Sequence, residues 1–169
     1  VVRDLTISGT GEGIEAWPYT SIPSGPTLVL ERSTVHDTTK SCIHATTPSR
    51  VKVVSSQVRN CGGSGVLVGS FGPGEGSLEL IDSEVSGVRN EVSPGTFAAV
   101  EAPAAVITRS SIHDNPGGGA FAWGAATVSE SHIDRNGAPM PGLHAGPLTA
   151  SDTTIDDNVA YSAPVRSSL

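Results

Sequence analysis

Apolar residues in this chain do not follow one helical or strand period from end to end. They recur in blocks that repeat every 21 to 28 residues. One β-branched residue per block serves as a reference position: Ile7, Val35, Val58, Val85, Ile112, Ile133 and Ile155. Five positions earlier stand Val2, Leu30, Val53, Leu80, Ile107, Val128 and Ala150, and seven earlier Leu28, Val51, Leu78, Ala105, Ala126 and Leu148. Two positions earlier the column reads Ser33, Ser56, Ser83, Ser110, Ser131 and Thr153, with Leu5 alone breaking it. Self-similarity at this period marks a solenoid whose units stack on one another.

The parity of the columns predicts the elements. Positions seven and five before the reference share one strand face, because side chains alternate with period 2. The reference and the residue two before it share a face of a second strand. The step between the two pairs is odd, which predicts a one-residue bend. A third strand follows in Gly13-Ile14-Glu15-Ala16, Cys42-Ile43-His44-Ala45, Gly65-Val66-Leu67-Val68, Gly119-Ala120-Phe121-Ala122 and Gly142-Leu143-His144-Ala145. Three strands per block predict an all-β, right-handed parallel β-helix of three sheets and about seven coils. Asn115, Asn136 and Asn158 stand three positions past the reference, so they are expected to stack as a buried ladder at one corner. Small residues at Ala105, Ala120, Ala122, Ala126 and Ala150 predict a narrower or looser core in the C-terminal half.

The pattern apolar-x-apolar, Ser-x-Ile/Val, Asn, Gly-apolar is legible in LVLERSTVHDTTKSCIHA, VITRSSIHDNPGGGAFAW and ATVSESHIDRNGAPMPGLHA. It resembles the β-helix repeat region of the pectin-lyase-like superfamily, from Val2 to about Val165. The resemblance implies the fold. It leaves function open among polysaccharide lyases, glycoside hydrolases, epimerases, tailspikes and adhesins, since fold does not fix function. The Asp-Asp, Gly-His-Gly and Arg-x-Lys constellation of polygalacturonases is missing.

Composition narrows the field. The chain has 169 residues, a net charge of -7 and 4% aromatic residues, with Gly 20 and Pro 12. One domain over residues 1–169 fits this length. The acidic balance argues against a nucleic-acid partner, and no apolar run is long enough to span a membrane as a helix. The chain begins at Val1 without Met or signal peptide, so a removed leader or a longer parent chain is expected. Neither terminus reads as an amphipathic cap, and end-to-end stacking or continuation in a longer chain is therefore expected. The absence of an Asn-x-Ser/Thr sequon favours a bacterial source, secreted or at the cell surface. Cys42 and Cys61 lie in successive coils and read equally as a disulfide or as two thiols.

Two surfaces carry candidate chemistry. The first is a ridge just past the reference position: Asp114, Asp134, Arg135, Asp156 and Asp157 in three consecutive coils. Stacked carboxylates beside an Arg would suit attack on acidic polysaccharides, and their oxygens would suit Ca²⁺, the one cofactor considered. The plainer reading is that Asp at a tight corner is turn chemistry, and it is favoured. No metal site is assigned. The second surface is the outer face of the third sheet, with Phe121, Trp123, His144, His44 and Trp17, and with Tyr19 extending the first coil's strand. Aromatics there would stack on the rings of a polysaccharide or cell-surface glycan. Burial by the loops Pro18–Pro26 and Gly69–Gly76, or a subunit or domain contact, is the plainer reading, and it is favoured. A further outward column, Asp82, Arg109, Glu130 and Asp152, reads as a surface charge ladder. A glycan-binding or structural scaffold is the leading expectation, and a polysaccharide lyase or hydrolase the alternative.

Overall fold

A computed structural model describes residues 1–17, 27–46, 48–69, 75–91, 98–138 and 140–159. Among these residues every regular element is a strand. The strands form three parallel sheets, two of seven strands and one of six. The chain is thus a parallel β-solenoid of six three-strand coils and a seventh with two strands, slightly fewer full coils than the repeat count predicts. No helix is long and apolar enough to cross a membrane among the described residues.

The pairing register reproduces the sequence columns. In the first sheet Val2, Leu30, Val53, Leu80, Ile107, Val128 and Ala150 face one another coil to coil. In the second sheet Ile7, Val35, Val58, Val85, Ile112, Ile133 and Ile155 do the same. A one-residue slip would turn every such side chain to the solvent, so apolar parity fixes the register through coils of unequal length. From Leu30 to Ile133 these inward positions are fully buried. Ala105, Ala122 and Ala126 form a separate small cluster, while Ala120 packs in the main core. In the outermost coils the same positions open: Ile155 is 38% exposed, while Ile133 one coil inward is 0%.

The predicted one-residue bend is a residue in the left-handed region. Asp4, Arg32, Ser55, Asp82, Arg109, Glu130 and Asp152 all have φ between 44° and 55°. The serine column supports this bend. Each hydroxyl donates to the carbonyl two residues back, as in Ser56 to Val54 at 2.7 Å and Ser110 to Thr108 at 2.8 Å. Each also accepts the N–H of the equivalent residue in the preceding coil: Leu5 to Ser33, Ser33 to Ser56, Ser56 to Ser83, Ser83 to Ser110 and Ser110 to Ser131, all at 3.1 Å.

A second left-handed corner lies two positions past the reference, at Asp37, Asn60, Gly87, Asp114, Arg135 and Asp157. The Asn ladder follows immediately. Asn115 Nδ2 donates to Asn136 Oδ1 at 2.8 Å, and Asn136 Nδ2 to Asn158 Oδ1 at 2.9 Å. Each amide also donates to a main-chain carbonyl: Val85, Ile112 and Ile133 respectively. The left-handed residue is the one before each Asn, so the amide serves as a cross-coil bridge. Cys61 occupies the same slot in the third coil and is disulfide-bonded to Cys42, which settles the two alternatives. Gly119 shows why glycine opens the third strand there: an added Cβ would lie 2.0 Å from the Gly142 carbonyl oxygen.

Asn136 is fully buried, and its loss would strand donors and acceptors on both neighbouring coils. Asn136→Ala is expected to lower unfolding stability by about 3 kcal/mol in urea titrations, whereas exposed His132→Ala changes it by under about 0.5 kcal/mol.

Candidate functional site

The outer face of the third sheet is read from its register. One column runs Glu15, His44, Leu67, Glu101, Phe121 and His144 across six coils. The predicted aromatics lie on this face but in two separate groups. Trp17 sits beside His44 with ring centroids 5.9 Å apart, and its indole N–H donates to Glu15 at 3.1 Å. Phe121, Trp123 and His144 form the other group. The two groups are three strand spacings apart, about 14 Å between His44 and Phe121. Tyr19, Pro18–Pro26 and residues 70–74 of the second loop lie outside the described residues.

The second group has a defined geometry. Phe121 and His144 are stacked at 4.6 Å with planes 5° apart. That separation is close to the strand spacing, so the two rings stack along the solenoid axis, with the exposed His144 on the edge strand. Trp123 meets Phe121 edge-on at 4.7 Å and remains 38% exposed. The exposed aromatic surface of this group is therefore the Trp123 indole together with the exposed His144 ring, with Phe121 half-buried between them.

Glu101 lies at the inner edge of this group and sequence reasoning missed it. It is 2% exposed although it points along the outward column. Trp123 Nε1–H donates to Glu101 Oε1 at 3.3 Å, while Oε2 has no hydrogen-bond partner among the described residues. Burial pushes the carboxyl up to about 7, against the smaller opposing effects of Trp123 and the Ala98 backbone. A signal was available: Glu101 is the lone charge in the run Phe97 to Ile107. The fourth coil's third strand, Val100–Ala102, escaped notice because Ala99 stands where the other coils place Gly or Cys.

The acidic ridge is gathered around its arginine. Arg135 forks onto Asp114 at 2.8 and 3.1 Å and pairs with Asp134. His113 Nδ1 lies 2.7 Å from Asp114 Oδ2. Arg135 first, then His113, holds the Asp114 carboxyl far below the usual carboxylate range. Asp156 stacks on Asp134 in register, and Asp156 and Asp157 add weaker attraction at Arg135. Asp114, Arg135 and Asp157 are also left-handed corner residues, so turn geometry and the ion pairs account for the cluster together. A carboxylate bonded on both oxygens is a poor proton carrier.

Two further features lie elsewhere. A shallow groove of about 550 Å³ runs along the corner between the first and second sheets, lined by Asp82, Glu84, Arg109, Glu130 and His132. Arg109 forks onto Asp82 there at 2.7 and 3.0 Å, the first rung of the expected charge ladder. Among the described residues, Glu12, Glu15 and His44 bring one donor atom each within 4.8 Å, a mixed nitrogen and oxygen set of the kind that binds Zn²⁺.

No protein-family model, curated protein or solved structure matches the chain.

Glu101 sets a stability signature. A carboxyl whose folded pKa is raised stabilises the fold below its unfolded value, and that contribution is lost as pH rises through about 7. Unfolding stability is expected to fall by on the order of 2–3 kcal/mol between about pH 5 and pH 8. In Glu101→Gln this decline should flatten, as read from urea midpoints across that range.

Proposed function

We propose that the chain is a secreted or cell-surface β-solenoid of the pectin-lyase-like type that binds glycan on the outer face of its third sheet, at Trp123. The observation that carries this reading is the exposed indole, packed edge-on against Phe121 and anchored through its N–H on the buried Glu101. An aromatic with one apolar face exposed and its polar handle already bonded is preorganised for contact with an apolar sugar face. The parallel ladder beneath it supplies a rigid base. The Cys42–Cys61 disulfide supports an oxidising, extracellular setting.

The acidic chain makes neutral glycans better ligands than acidic ones, because the net charge of -7 repels a polyanion. A second reading, a polysaccharide lyase or hydrolase, is favoured by the groove that brings Glu84 and His132 together. It is weakened at the ridge, where Asp114 and Asp134 are occupied by Arg135.

Intrinsic fluorescence tests the proposal directly, since the chain holds only Trp17 and Trp123. A saturable shift with neutral oligosaccharides is expected, persisting in Trp17→Phe and lost in Trp123→Ala. Titration with and without Ca²⁺ should give the same curve. A shift unaffected by Trp123→Ala would move the site elsewhere, and glycan cleavage lost in His132→Ala or Glu84→Gln would establish the enzymatic reading instead.

A further inference from the structure

Glu101 is buried in a place where a charge has little to meet. The strands on either side, Val66–Val68 and Ala120–Ala122, present Leu67 and Phe121 to it. Neither strand carries a titratable residue. Along the face the next titratable positions are His144 in one direction and His44 in the other, each a further strand away. The described partners of the carboxyl are the Trp123 indole N–H and the Ala98 backbone. An ionised carboxylate accepts about four hydrogen bonds, and here one oxygen has none.

We propose that Glu101, as a neutral carboxyl, is the positioning residue for the Trp123 indole, and that its ionisation opens the packing beneath the indole to water. Removing the proton leaves a buried charge with an unpartnered oxygen. That charge is relieved by admitting water, or by turning the carboxylate outward, and both routes disturb Trp123, the half-exposed side chain bonded to it. The carboxyl's raised proton affinity, with a midpoint of about 7, places this change close to neutrality. Control of glycan binding by this opening rests on the function proposed above. The opening itself does not, and it is measurable without a ligand.

The test uses the full chain carrying Trp17→Phe, so that Trp123 alone reports. From about pH 5.5 to about pH 8.5 the emission should shift to the red and acrylamide quenching should rise, with far-UV circular dichroism unchanged. Glu101→Gln should hold the low-pH signal throughout. No change across this range, a blue shift with rising pH, or the same transition in Glu101→Gln would each overturn the proposal. Should Glu101→Gln fail to fold, difference infrared of the parent supplies the second measurement. Loss of a protonated carboxyl band must follow the same midpoint as the fluorescence, and a mismatch overturns the proposal.

Glycan titrations at the two pH values then separate the two readings. If only the neutral form binds, affinity at about pH 8.5 is about thirtyfold weaker than at pH 5.5. Binding equal at both pH values overturns the control of binding. Absence of glycan binding at either pH, with the Trp123 transition intact, overturns the binding function and leaves the opening in place.

Discussion

Each coil turns twice through a residue held at positive φ, and every other feature depends on those turns repeating in register. A left-handed residue other than glycine costs roughly 1 kcal/mol or more, and the first corner alone uses seven of them. The serine hydroxyl beside that corner offsets the cost in two ways. It satisfies a carbonyl within its own coil and accepts an N–H from the coil before. One side chain therefore closes the turn and ties it to its neighbour. Such a bond has its value only when both coils share the same corner, so the local turn and the stacking reinforce each other. The Asn ladder repeats this logic at the second corner, and the Cys42–Cys61 disulfide takes its place where Asn is absent.

The same constraint distributes the surface chemistry. Corner residues point outward and lie one above another, close to the strand spacing. Acidic and basic residues at consecutive corners then meet as forked ion pairs: Asp4 with Arg32, Asp82 with Arg109, Asp114 with Arg135. These pairs are exposed, and each contributes about 0–1 kcal/mol. Their main effect is on chemistry, because they hold their carboxylates ionised and engaged. The third sheet differs: its outward column is short of charged partners in the middle coils. Burial there isolates Glu101, so the carboxyl that is pushed up to about 7 lies on the aromatic face and not on the acidic ridge.

The fold was legible because it is written in parity and spacing. Ile7 to Ile155 can be aligned by eye, and the pairing register follows that alignment residue for residue. The one-residue bend followed from an odd step, and the Asn ladder from three residues at equal offsets. The serine column was visible, but its role was not, since a conserved offset does not say which backbone group a hydroxyl reaches. The disulfide could not be decided from spacing, because Cys42 and Cys61 stand at different positions within their coils. The candidate site was less legible. Sequence alternation placed Phe121, His144, His44 and Leu67 on one outward column and did not reveal the strand of Glu101, and alternation assumes that outward means exposed. Leu67 and Glu101 break that assumption at 7% and 2% exposure.

That break explains why the aromatic face has to be reasoned about as a packed surface. Had the column stayed open to solvent, Phe121 and His144 would offer ring faces to a ligand, and Glu101 would be an ordinary surface carboxylate. Instead the strand spacing stacks the rings face to face, which spends one face of each on the other and leaves the Trp123 indole and the edge-strand His144 as the exposed rings of the group. The indole N–H must then find an acceptor, and the nearest outward position one coil back supplies a carboxyl that burial keeps close to neutral. The proposed binding surface and the raised proton affinity on this face are therefore two consequences of one packing arrangement. A substitution that altered either, such as a smaller residue at Phe121, would change the other through the loss of the same contacts.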